Sequence, residues 1–553
     1  MTERLRSNAN LFASAVVFGL LFLLFLADRV SFFDPRLLPV YGFGFCLSLV
    51  GDAAVLALHA LLPLWLLGRY ARLFYAVCIP IEFAFVCIQW FVRSQFNMYL
   101  SGSWVGILVA SSPEEIRWFF WHCASVASFA ILAAAIVAAV CLVKALSVVR
   151  KTSATRVTVI AAVVVAALLV CECRRREVGT VIGLAKTFPA IWLVPNSILH
   201  FSEQYESAKM VRHPQLPDTV RLDRREGAPV VGAFVLGESA TRSHWSLYGY
   251  GRATSPEMDA IRGELVVFSD LLTPSPQTCA AMRDIFTART CERSRDFRFS
   301  LSQVLRVCGF DLPFYSGHGS WDRWYSGEAC SFSGCDPLVW TTDVDEDSRF
   351  DSALLPHFQK HLGNSSTNCV VFLHMMGSHL PFNERYPADD APFGERTSAG
   401  VMRTQVDHYD NTIWHTDRFL GEIVRKLKAL HRPAWMIYVS DHGETPSANG
   451  WRMATDNDLW EVPFFVWTSP EFDAVYPERI AALRRAKDKP LQSDQLLYGL
   501  LRFMGVKGLG NAPEEDFLDD SFKPRDPRVI LGGAAVYEKR SSPRDPGSCG
   551  EGK

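Results

Sequence analysis

Apolar positions fall into two patterns along the chain. Up to Cys171 they come in five long stretches: Leu11–Ala27, Val40–Leu67, Leu73–Val92, Trp118–Val143 and Val157–Cys171. Each is near or above the roughly 17–25 residues that a membrane helix needs, the last being short. They predict a five-helix transmembrane bundle over residues 1–171. From Pro229 the runs shorten and alternate with helical segments: VVGAFVL, GELVVFSDLL, FDLPFYS, CVVFLHMM, WMIYVSD and VPFFVWTS. Short apolar runs separated by helical segments predict an α/β domain over residues 229–540 with a buried, mainly parallel central sheet. Residues 172–228 form a connector. Its GLAKTFPAIWLVPNSILHF part is broken by prolines and suits the membrane surface better than a sixth span, and its HPQLPDTVRLDRREGAP part reads as a linker. The polar tail 541–553 predicts disorder.

Charge orients this arrangement. With the N-terminus inside, the inner short loops carry Arg4, Arg6, Arg69, Arg72, Lys144, Arg150, Lys151 and Arg156, against Arg29, Arg36, Arg93 and Arg117 outside. Five spans then place the α/β domain on the outer face. Arg174, Arg175 and Arg176 oppose the rule, but a long exported domain follows them, and long domains cross largely regardless of charge. The apolar first stretch lacks a small-residue cleavage site, which favours a retained anchor over a signal peptide. Mean hydropathy is +0.10, and the excess lies in the first third. A net charge of −2 gives no bulk attraction to nucleic acid. Asp52 and Glu82 fall inside spans, where charge is costly, and take no assigned role. Of the 14 cysteines, seven lie in the membrane region or at its edge. Among the rest, Cys330/Cys335 and then Cys279/Cys291 are the expected disulfide pairs of an exported domain.

The chemistry concentrates where strands end, the edge at which α/β sheets bind ligands. Glu238 and Ser239 follow VVGAFVLG, Thr278 follows the next run, Gly377-Ser378-His379 follow CVVFLHMM, and Asp441-His442-Gly443-Glu444 follow WMIYVS. Singly, each has an ordinary explanation: Glu238 as a helix N-terminal acid, Asp441 as a turn residue, Thr278 as a plain threonine. Jointly, oxygen and imidazole ligands at one sheet edge look like a zinc or manganese site, and a hydroxyl bound to such a cation becomes a nucleophile.

GESATRSHWSLYGYGRATSPEMDA, HMMGSHLPFNERYP, HYDNTIWHTDRFL and VSDHGE resemble the phosphoethanolamine transferases of Gram-negative envelopes, sulfatase-like members of the alkaline phosphatase superfamily. SLYGYxRxTxPxMDA is most similar to the branch acting on lipopolysaccharide core sugars, more than to the lipid A branch. The resemblance implies an inner-membrane enzyme with a periplasmic catalytic domain. It would move phosphoethanolamine from phosphatidylethanolamine to lipopolysaccharide or another envelope glycan. It implies a zinc held by Glu238, Thr278, Asp441 and His442, with manganese as the other metal, and Thr278 as the nucleophile that becomes phosphoethanolaminylated. Ser239, beside the ligand, is the rival nucleophile. His379 matches a histidine contacting the phosphate or a second zinc. The family's histidine after the Asp-His-Gly-Glu turn is missing from NGWRMATDNDLWEVPFF, where Asp458 is the nearest substitute. Asn97 and Glu115 match positions near the donor headgroup, although Ser112-Pro113-Glu114-Glu115 reads equally as a helix start. The rival functions are a phosphoglycerol transferase of the same superfamily and a catalytically inactive envelope scaffold.

Overall fold

The computed structural model describes residues 214–223, 229–291, 298–318, 331–341, 350–363, 367–397, 400–446, 457–530 and 535–538, with a few isolated positions between 66 and 77. Apart from those isolated positions, the five expected spans, the connector before residue 214, Asn97, Glu115, Asp52, Glu82, Cys330, Cys549 and the tail lie outside these residues. Among the described residues no helix is long and apolar enough to cross a membrane.

Seven strands build one sheet: β1 (Val231–Gly237), β2 (Leu265–Phe268), β3 (Phe314–Ser316), β4 (Leu338–Trp340), β5 (Cys369–His374), β6 (Ala434–Ser440) and β7 (Phe464–Thr468). Their order is β2-β7-β6-β1-β5-β3-β4. The β6-β1-β5-β3-β4 pairings are parallel, whereas β7 runs antiparallel to both β6 and β2. The expected mainly parallel sheet is therefore mixed at one side. β1, β5 and β6 are buried along their whole length, which is why they read as unbroken apolar runs.

Alternate residues of these strands feed two cores. Val231, Ala233, Val235, Val371, Leu373, Met436 and Tyr438 point to one face. Phe234, Leu236, Val370, Phe372, Ile437 and Val439 point to the other. Helix α1 (Thr278–Phe286) packs Met282, Ile285 and Phe286 on the second face. Helices α2 (Leu354–Leu362) and α3 (Gln405–Lys428) cover the first. α3 begins at a capping box of Thr404 and Asp407, ends on Arg425, Lys426 and Lys428, and buries Ile413, Leu420, Ile423, Val424 and Leu427 at helical spacing. Each such fully buried side chain contributes about 1.5–3 kcal/mol.

Three sequence expectations change here. GELVVFSDLL is two strands rather than one. The Ser269 amide donates to Lys487 O, and Leu271–Leu272 leaves the main sheet to pair in parallel with Leu491–Gln492. The linker before Pro229 is docked: Arg221–Leu222 pairs antiparallel with Val506–Lys507, and Lys507 meets Asp223 at 2.9 Å. The disulfides are corrected as well. No Cys279–Cys291 disulfide forms, and Cys330 of the other expected pair lies outside the described residues. Cys335 is buried in the core, and Cys291 takes part in a contact to Asp494, whose carboxylate accepts its backbone N–H at 2.9 Å.

Candidate active site

Because β6, β1, β5 and β3 are adjacent and parallel, their C-terminal ends deliver side chains to one edge. β1 delivers Glu238, β6 delivers Asp441 and His442, β5 ends on His374 with His379 beyond it, and β3 is followed by His318. Thr278 is the first residue of α1, so it enters the same edge with the helix N-terminus behind it.

The turn after β1 is held in an uncommon conformation. Ser239 is in the left-handed region at φ 57°. Its N–H donates to Asp441 Oδ1 at 3.0 Å and its hydroxyl donates to Glu238 Oε1 at 2.8 Å. The Tyr409 hydroxyl, from α3, donates to Ser239 O at 2.8 Å and accepts from the Thr241 amide at 2.7 Å. Gly377 packs directly on this turn: it has φ 45°, and a Cβ there would lie 2.8 Å from Glu238 O. At the turn after β6, a Cβ on Gly443 would lie 1.8 Å from Asp458 O, so only glycine fits.

Within this frame Thr278 Oγ1 donates to Glu238 Oε2 at 3.0 Å and lies 3.4 Å from His442 Nε2. His442 Nε2 is 3.3 Å from both Glu238 Oε1 and Asp441 Oδ2. Glu238, Asp441 and His442 are fully or almost fully buried. His442 Nδ1 faces Gly443 O at 2.9 Å, and a carbonyl can only accept, so Nδ1 carries the hydrogen. In the neutral ring Nε2 then presents its lone pair to three oxygens. Asp441 Oδ2 is buried and accepts no hydrogen bond. Burial first, and the Glu238 charge second, push Asp441 up to about 7. Burial also works against ionised Glu238, but the His442, His374 and His318 rings outweigh it and hold that carboxyl well below its usual range.

Converging lone pairs and a buried oxygen without a donor are what a cation relieves. The contacts linking the four groups span 3.0–3.4 Å. A tetrahedral zinc site with bonds of about 2.0 Å has edges of about 3.3 Å, so Glu238, Thr278, Asp441 and His442 fit that ion in number, chemistry and spacing.

The sequence expectations separate at this point. Glu238, Thr278, Asp441 and His442 come together. His379 borders them less directly: its ring is 6.0 Å from that of His318, and its Nδ1 lies 2.6 Å from Leu380 O. Asp458 accepts the Ser243 hydroxyl at 2.6 Å, and among the described residues it joins none of the clusters with metal-ligand spacing. Two histidines were missed. His374 and His318 stack at 4.1 Å, 3° from parallel, each with Nε2 3.9 Å from Glu238 Oε2. Their positions at strand ends were signals: His374 closes the run CVVFLH itself, and His318 follows FYS by two residues.

The comparisons with known proteins agree with this geometry. Residues 233–506 match the Sulfatase family. The matched stretch is similar to that family's domain. Phosphoethanolamine transferase EptC of Escherichia coli K12 is 24% identical over 322 residues, 54% of this chain and 55% of that protein. The Kdo(2)-lipid A phosphoethanolamine 7''-transferase of the same strain is 24% identical over 260 residues, 43% and 44% of the two chains. The chain thus spans about half the length of the curated relatives it matches. The crystal structure of the C-terminal periplasmic domain of E. coli EptC in complex with Zn shares the fold of the sulfatase domain, with a TM-score of 0.53 and 21% identity over 59% of this chain and 96% of that one. The integral membrane protein lipooligosaccharide phosphoethanolamine transferase A of Neisseria meningitidis shares the fold over 94% of this chain and 99% of its own, with a TM-score of 0.63 and 18% identity.

Proposed function

We propose that the protein is an inner-membrane transferase. It takes phosphoethanolamine from phosphatidylethanolamine and places it on lipopolysaccharide or another envelope glycan, with the sulfatase domain in the periplasm. The observation that carries this reading is the Thr278 hydroxyl, set at the N-terminus of α1 and hydrogen-bonded at 3.0 Å to a buried carboxylate in a cation-seeking cluster. Curated relatives named as phosphoethanolamine transferases supply the group transferred.

In the first half-reaction Thr278 Oγ1 forms a bond to the donor phosphorus, and the bond from phosphorus to the diacylglycerol oxygen breaks. The hydroxyl hydrogen already points at Glu238 Oε2, and diacylglycerol leaves after gaining a proton. In the second, an acceptor hydroxyl attacks the phosphothreonine and Thr278 recovers its hydroxyl. A zinc held by Glu238, Thr278, Asp441 and His442 would act as Lewis acid and lower the pKa of Thr278. The first-turn N–H groups of α1 favour the negative phosphoryl oxygens beside Thr278. His379 contacts the transferred phosphate, and Asp458 the ethanolamine ammonium. Asn97 and Glu115 serve the donor headgroup from the membrane domain.

The test is intact-mass analysis of the full chain purified after exposure to phosphatidylethanolamine. Thr278 should carry one phosphoethanolamine group, lost on adding acceptor. A phosphoglycerol group on Thr278 instead would overturn the donor assignment, and an unmodified Thr278 in wild type with an active enzyme would overturn the mechanism.

A further inference from the structure

The N-terminal ends of the same strands carry a second cluster that the transfer reaction does not use. β5 begins at Cys369, and Asp311 lies beside it in a parallel bridge just before β3. Two main-chain hydrogen bonds fix this pairing: the Asp311 amide donates to Asn368 O at 2.8 Å, and the Val370 amide donates to Asp311 O at 2.9 Å. His361 reaches the pair from the last turn of α2. A His361 nitrogen, an Asp311 carboxylate oxygen and the Cys369 sulfur all lie within 4.8 Å of one another. β5 spans the six residues Cys369–His374, so this cluster and the candidate active site lie at opposite edges of the sheet, roughly 17 Å apart along the strand.

We propose that Cys369, His361 and Asp311 form a second metal site, selective for a borderline-soft divalent cation such as zinc. The donor set is the first reason. A thiolate, an imidazole and a carboxylate suit zinc and poorly suit magnesium or calcium, which prefer oxygen. Charge is the second. Thiolate and carboxylate carry two negative charges, matched by one divalent ion. Orientation is the third. His361 Nε2 lies 2.7 Å from the Tyr315 hydroxyl, while Nδ1 faces Asp311 Oδ2 at 3.9 Å. Donation from Nε2–H to Tyr315 leaves the Nδ1 lone pair aimed at the cluster, the outer-shell support typical of metal-bound histidine. His357, one turn earlier on α2, packs its ring against that of Tyr315 at 4.7 Å, tilted by 31°, and helps hold that hydroxyl in place. Access is the fourth. Cys369 is buried, but the side chains of His361 and Asp311 are 19% and 37% exposed, so the site opens to solvent on one side.

Without metal, burial and the Asp311 carboxylate push the Cys369 thiol up to about 12. Binding therefore breaks the S–H bond, forms a metal–sulfur bond and releases that proton to solvent. Water completes the coordination. The ion would tie the starts of β3 and β5 to the end of α2, making the site structural.

Cobalt(II) alone is the probe, added to full-length protein stripped of metal by a chelator. Cobalt bound by a thiolate shows sulfur-to-metal charge-transfer absorption, and the candidate active site offers no thiolate among its four ligands. The expected result is such a band in the wild type, lost in Cys369→Ser and in His361→Ala, and retained in Cys279→Ser. Thr278→Ala should keep the band as well, which separates this site from the transfer chemistry. Should Cys369→Ser fail to fold, His361→Ala at its partly exposed position decides alone. Absence of the band in the wild type, or its survival in His361→Ala, overturns the proposal.

Discussion

At the residue scale two hydroxyls compete for one role, and their hydrogen bonds differ in kind. Ser239 Oγ donates to Glu238 Oε1 from a left-handed turn, an arrangement that orients the carboxylate. Thr278 Oγ1 donates to the other oxygen and also lies near His442. Thr278→Ala should lower phosphoethanolamine transfer by about a thousandfold or more, while Ser239→Ala should retain activity within about tenfold. A radiolabelled or mass-resolved transfer assay compares them; an active Thr278→Ala with a dead Ser239→Ala would reverse the assignment. Asp441→Asn should remove zinc from the site, because it replaces a carboxylate whose Oδ2 accepts no hydrogen bond by a neutral amide that binds a cation more weakly. Elemental analysis of the purified variant should then find about one zinc fewer per chain than in wild type. Asp441 and His442 were legible as residues since they interrupt a long apolar run. His374 was not, because it is the last residue inside its run and not the first polar one beyond it, and His318 was not, because it follows a run shortened by Pro313.

At the element scale, the site depends on a contact that α3 makes with the β1 turn. The Tyr409 hydroxyl bridges Ser239 O and the Thr241 amide, and its ring is fully buried. Each bond contributes about 1 kcal/mol, and together they hold a residue that does not favour φ 57°. Tyr409→Phe keeps the ring and removes both bonds. Zinc affinity should fall about tenfold and transfer should fall with it, recoverable at raised zinc; competition with a chelator measures the change. An unaltered affinity would mean that Gly377 and Asp441 hold the turn without Tyr409. Nothing in the sequence linked Tyr409 to Glu238, which are far apart in the chain. The strands themselves were legible, since buried parallel strands are continuous apolar runs. The split of GELVVFSDLL was not, because which partner Leu271 and Leu272 find is decided at Leu491 and Gln492.

At the scale of the whole molecule, the proposed chemistry needs the sulfatase domain on the same side as the donor headgroup. Loop charge predicts an outer location for residues 93–117 and an inner one for Lys151. In intact cells a membrane-impermeant thiol reagent should label a cysteine introduced at Asn97 and spare one at Lys151. The opposite labelling would invert the topology and remove the periplasmic location.

Alone, the sequence determined the α/β domain, the buried strands and four of the groups now found together. Each is written in local composition: apolar length, apolar runs, and the polar residues that end them. Only the tertiary structure decided the rest. It mixed the sheet through β7, formed no Cys279–Cys291 disulfide, and brought His318 and His374 to Glu238. It also set Cys369, His361 and Asp311 within reach of one another at the opposite edge. The physical reason is that strand order is not encoded between neighbours in the chain. It emerges when distant runs bury their apolar faces against common cores, and every side chain at a strand end is carried along with that choice.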